Sequence, residues 1–115
     1  MRDNQFHFLG STVNGLDDED GALDRLAQQV AAAIPSLWGY VGVDFILTDR
    51  GPASLGPVVL EVNPRLTAAY AGLHASIGCN PAGLVIELLK GPAGLPAPVA
   101  NRSAVSVDVA AFGLP

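Results

Sequence analysis

Basic charge is scarce in this chain: six lysines and arginines stand against eleven acids, giving a net charge of −5 at neutral pH and an isoelectric point near 4.6. Nucleic-acid backbones are held by clustered Lys and Arg, so this balance argues against a nucleic-acid partner. Cysteine is nearly absent too. The single Cys79 cannot form an internal disulfide, and its place beside Gly78 at an expected helix end suits the filling of a small buried space better than nucleophilic chemistry. No apolar run approaches the roughly 20 residues needed to span a bilayer. Arg2, Asp3, Asn4 and Gln5 make a polar start, unlike the apolar centre of a signal peptide. The expectation is a cytoplasmic protein with no membrane association. There is no internal repeat, no Gly-rich phosphate loop of the Walker kind and no nucleophile–base pair. Apolar residues make up 50% of the 115 and charged residues only 15%, which predicts one domain over residues 1–115 with a sizeable core. A surface this poor in charge is of the kind that something else covers.

The stretch from 40 to 73 is the one around which the rest is organised. Val41, Val43, Phe45 and Leu47 alternate with Gly42, Asp44, Ile46 and Thr48, so one acid interrupts an otherwise apolar strand. A second run places Val58, Leu60 and Val62 on one face and Val59, Glu61 and Asn63 on the other, until Pro64 ends the ladder because it has no N–H. Residues 49–57 contain two Gly-Pro pairs and no periodicity, which predicts an antiparallel hairpin with a long loop. Paired residue numbers in a hairpin sum to a constant. An odd sum puts Asp44 on the face of Glu61 and Asn63, and an even sum separates them. Two close carboxylates repel, and a hard divalent cation such as Mg²⁺, which takes carboxylate and amide oxygens, relieves that repulsion. The same pattern also fits two outward-facing polar positions on a half-solvated sheet.

Two blocks carry a resemblance: Gly39-Tyr40-Val41-Gly42-Val43-Asp44-Phe45-Ile46-Leu47, and after the loop Val58-Val59-Leu60-Glu61-Val62-Asn63-Pro64-Arg65-Leu66-Thr67. With their internal spacing they resemble the carboxy-terminal signature of the ATP-grasp superfamily of carboxylate-amine ligases. The resemblance implies that Asp44, Glu61 and Asn63 are ligands of Mg²⁺ (or Mn²⁺) bridging the phosphates of ATP. It implies that Arg65 meets the phosphates or the acyl phosphate, so that Asn63 and Arg65 bind the nucleotide and Arg65 serves catalysis. The run from Leu66 to Leu73 is similar to the branch holding tyramine-glutamate ligase and related proteins of methanofuran-type cofactor pathways. Relatives that activate bicarbonate carry a glutamate where this chain has Ala69, which points away from carboxylase chemistry.

Elsewhere the reading is structural. Residues 5–13 read as a strand broken by Gly10, with Phe6, Phe8 and Leu9 supplying core, His7 on the opposite face and Asn14-Gly15 as a turn. The acids Asp17, Asp18, Glu19 and Asp20 lack calcium-loop spacing and sit where they stabilise a helix N-terminus. Leu23, Leu26, Ala27, Val30 and Ile34 predict a core-facing helix stopped by Pro35. Trp38 is placed at the end of the sheet. Thr67 is expected to cap a helix with Ala69, Tyr70, Leu73 and Ile77 on one stripe, closed by Gly78. Asn63 and Arg65 would then stand just before free N–H groups. Tyr70 and His74, four apart, either line a substrate pocket or are a packed Tyr and a surface His. Asn80-Pro81 starts another helix, to about 90, with Leu84, Val85, Leu88 and Leu89 inward. Residues 91–98 read as a loop or linker, and residues 103–112 as a last strand with Val105, Val107 and Val109 on one face.

The expected architecture is α+β: an antiparallel sheet with the hairpin at its centre, covered by helices, and corresponding to the C-terminal lobe of an ATP-grasp fold. The resemblance implies ATP-dependent joining of a carboxylate and an amine through an acyl phosphate, with lysines from an earlier, N-terminal lobe on the phosphates. Lys90 is the only lysine and follows the metal motif. The chain is therefore read as part of a longer ligase, inactive alone, with a split or decayed gene product as the other possibility. A noncatalytic partner or regulatory module derived from the same fold is the alternative from a different class.

Overall fold

The computed structural model describes residues 6, 8–48, 56–94 and 102–108. They form two compact units, one within Leu16–Thr67 and the other from Met1–Gly15 together with Ala68–Pro115. His7, Val109 and the hairpin loop at 49–55 lie outside the described residues.

In the first unit, helix α1 spans Ala22–Ala33. Gly21, at φ 66, precedes it and offers no side-chain cap. The acids do that work. Asp18 accepts from the N–H groups of Leu23 at 2.8 Å and Asp24 at 3.0 Å, and Asp20 accepts from Ala22 at 3.2 Å. Three of the four N–H groups a helix start leaves without internal partners are thus satisfied by carboxylates. Leu23, Leu26 and Val30 form a half-buried stripe, while Ala27 and Ile34 are exposed.

Among the described residues, strands β1 (Gly10–Val13), β2 (Gly42–Leu47), β3 (Pro57–Asn63) and β4 (Val105–Asp108) make two two-stranded antiparallel sheets, β2 with β3 and β1 with β4. This corrects the expectation of one sheet. Gly42, Val43 and Asp44 pair with Asn63, Val62 and Glu61, an odd sum. Beyond a bulge, Phe45, Ile46 and Leu47 pair with Val59, Val58 and Pro57, an even sum. Leu60 is the extra residue, so strict alternation along β3 does not hold. Val59 shares the face of Phe45 and Val62, and Val58 joins Ile46 on the acid face.

In the second unit, β1 and β4 pair from Gly10 with Asp108 to Val13 with Val105. Helix α2 (Tyr70–Ile77) lies against them through Gly72, where a Cβ would come within 2.7 Å of a Val107 methyl and 2.8 Å of a Val13 methyl. Asn14, at φ 53, turns the chain after β1. Its amide donates to the hydroxyl of Ser76, which in turn donates to the Ser103 carbonyl at 2.5 Å. Helix α3 (Pro81–Glu87) begins with Asn80 accepting from the Ala82 N–H at 3.0 Å. It gives way to 3₁₀ turns over Leu88–Gly94, kinked at Gly91, where φ is 71 and ψ is −155.

Among the described residues the core is smaller than composition predicts. Val13 is the buried large hydrophobic among the described residues, and Phe6, Phe8, Leu9 and Leu89 are exposed rather than inward. A two-stranded sheet with helix cover on one side leaves its other face and its ends to solvent.

Candidate functional site

The odd register places Asp44 directly across from Glu61, where side chains of an antiparallel pair stand about 5 Å apart at Cβ. Asn63 is one step diagonal, opposite Gly42. Its Nδ2 donates to Asp44 Oδ2 at 3.1 Å. A carboxylate can only accept, so this contact fixes the orientation of the amide and leaves Oδ1 as its remaining ligand atom. Asn63 is buried at 6% exposure, whereas Asp44 and Glu61 are both exposed. Solvent therefore screens the repulsion between the two carboxylates, and the pair needs no partner to persist in the folded chain.

The donor set fits a hard cation: two carboxylates and one amide oxygen on one face. Among the described residues, no group of three or more His, Cys, Asp or Glu side chains is placed to hold a metal ion. A cation here would draw the rest of its shell from water or phosphate oxygens, the usual habit of Mg²⁺.

Arg65 is exposed, one turn beyond the sheet. Its N–H donates to the Asn63 carbonyl at 2.8 Å, and its Nη1 donates to the Leu66 carbonyl at 3.3 Å. Helix α2 does not follow at once. It begins at Tyr70 with Ala69 as its N-cap and no side-chain cap, so Thr67 is not the capping residue and Arg65 does not stand at a helix start. The Thr67 hydroxyl is bonded instead to the Tyr40 hydroxyl at 3.0 Å. Tyr70 is half-buried and His74 exposed, both in the other unit. Trp38 is 57% exposed and Cys79 is a half-buried free thiol.

Three features escaped sequence reading: the bulge at Leu60, the Tyr40–Thr67 bond and the Ser76 cluster. Only the bulge left a trace, in the run Val58-Val59-Leu60 that breaks alternation just before Glu61. The bonds join residues 27 and 62 positions apart, and no local pattern announces them.

A family model described as an ATP-grasp domain matches residues 1–69, more than half of the chain. The matched part takes in α1, the β2–β3 hairpin and Arg65, and stops before α2. No curated protein and no solved structure matches.

Proposed function

This chain belongs to the ATP-grasp family, and from that membership we propose that its β2–β3 hairpin is the Mg²⁺-nucleotide-binding part of an ATP-dependent carboxylate-amine ligase. The observation that carries the reading is the pairing of Asp44 with Glu61, together with the Asn63 amide bonded to Asp44. Bound Mg²⁺-ATP would supply a phosphoryl group to a carboxylate, whose oxygen bonds to phosphorus as ADP leaves; an amine nitrogen then bonds to the acyl carbon as phosphate departs. Asp44, Glu61 and the Asn63 Oδ1 hold the cation. Arg65, exposed and permanently charged, offers N–H groups to phosphoryl oxygens and offsets the charge that grows on them.

The run from Leu66 to Leu73 supports placing the ligase in the branch of tyramine-glutamate ligase. Lys90 is tied to Glu87 at 2.6 Å within the helical segment that follows α2, so the phosphate-binding lysines are assigned to another lobe. The 115-residue chain by itself is then expected to hydrolyse ATP far below a ligase's rate, and robust turnover by pure protein would overturn that assignment. The alternative is a noncatalytic partner or regulatory module derived from the same fold, and a lysine-bearing nucleotide lobe encoded beside this chain would decide against it.

Mn²⁺ titration followed by NMR tests the site. Selective broadening at Asp44, Glu61 and Asn63 is expected, and Glu61→Gln should abolish it at Asp44 while changing stability by less than about 0.5 kcal/mol, since the position is exposed. Broadening confined to residues 17–20 would show that the hairpin acids are plain surface charges. Asp18 and Asp20 are already occupied with the N–H groups of α1, which makes that cluster the weaker competitor.

A further inference from the structure

Where the chain leaves β3 it does not run on into solvent. Arg65 N–H closes a tight turn on the Asn63 carbonyl, and two residues later Thr67 is back beside the sheet, its hydroxyl 3.0 Å from that of Tyr40. Its methyl lies where a side chain at Gly42 would be: a Cβ on Gly42 would stand 2.6 Å from Thr67 Cγ2 and 3.7 Å from Asn63 Cβ. Gly42 and Asp44 are two apart on one strand, so their Cβ directions share a face. Thr67 therefore packs on the acid face itself, in the row next to Asp44 and Glu61, where Asn63, the partner of Gly42, is buried. Only glycine at 42 leaves that space open.

We propose that Tyr40, Gly42 and Thr67 form a latch that positions Asn63, and through the closed turn Arg65, for a divalent cation and its phosphates. This rests on the function proposed above. Tyr40 and Thr67 touch neither cation nor phosphate in this arrangement and act as positioning residues. Holding an amide and an arginine in place before a ligand arrives removes part of the ordering cost of binding. The latch also explains why the residue following Asn63-Pro64-Arg65-Leu66 serves the sheet and not the helix after it.

The test is Mn²⁺ titration of the full chain by NMR, with the Asn63 side-chain amide as a second readout that needs no metal. Tyr40→Phe and Thr67→Val each remove the hydroxyl bond. Each is expected to shift the Asn63 amide signals and weaken Mn²⁺ binding roughly five-fold, with the double variant no worse than either single one. Gly42→Ala should do the same through its collision with the Thr67 methyl. Thr67→Ser deletes that methyl, keeps the hydroxyl and should rescue Gly42→Ala, a recovery that general loss of structure would not show. If the unsubstituted chain binds Mn²⁺ at Asp44 and Tyr40→Phe binds it equally well with unshifted Asn63 signals, the latch is wrong and the metal site stands. Failure of Thr67→Ser to rescue Gly42→Ala also overturns the latch. If the unsubstituted chain shows no Mn²⁺ effect at Asp44, Glu61 or Asn63, the site and the latch's purpose fall together.

Discussion

Gly72 and Ser76, one helical turn apart on α2, meet the β1–β4 pair in opposite ways. Gly72 brings backbone against methyl groups, and Ser76, 3% exposed, ties Asn14 to Ser103. In a solvated helix Gly→Ala would gain about 1 kcal/mol from propensity. Here the new methyl would press on Val13 and Val107, both β-branched and stiff at χ1, and overpacking costs about 1–3 kcal/mol. Gly72→Ala should therefore be net destabilising in urea unfolding, with the loss reduced in a Gly72→Ala, Val107→Ala pair. Ser76→Ala leaves the Ser103 carbonyl and the Asn14 amide, both in part-buried bonds to Ser76, short of a partner and should cost about 1 kcal/mol by the same measurement. Neither role was legible beforehand, because a Gly and a Ser inside a short apolar helix look like weak helix formers and nothing more.

At the scale of elements, α1 and the hairpin were legible and their details were not. Helix periodicity, four acids upstream and Pro35 downstream locate α1, and Asp18→Ala, by freeing two N–H groups of its first turn, should cost about 1 kcal/mol. The hairpin's two apolar runs and Gly-Pro loop were equally plain, but alternation carries no count of which residue faces which across a loop. The bulge supplies the missing residue of register. Deleting Leu60, which is 63% exposed, joins the two halves into one regular ladder in which Asp44 still faces Glu61 and Phe45 still faces Val59. Cross-strand NOEs between both pairs should survive the deletion, and their loss would mean that the bulge itself holds the acids together. Phe6, Phe8 and Leu9 illustrate the opposite failure: apolar character predicts burial only where an element exists to cover it.

At the scale of the whole chain, the pairing of β1 with β4 was beyond sequence reading, since its partners lie at opposite ends of a 115-residue sequence and local pattern does not encode distant pairing. The unit within Leu16–Thr67 is continuous in sequence, whereas the other is split around it. Closing so long a loop is slow relative to closing a hairpin. Pulsed hydrogen exchange during refolding should therefore protect the amides of β2 and β3 before those of β1 and β4, and simultaneous protection would contradict this order. Synthesis from the N-terminus sharpens the asymmetry. On the ribosome the carboxylate-bearing hairpin can pair while β1 still waits for a strand that has not been translated. During that interval β1, with Phe8 and Leu9 beside it, is an unpaired edge next to apolar side chains, and it is the segment of the nascent chain that a chaperone would have most reason to hold.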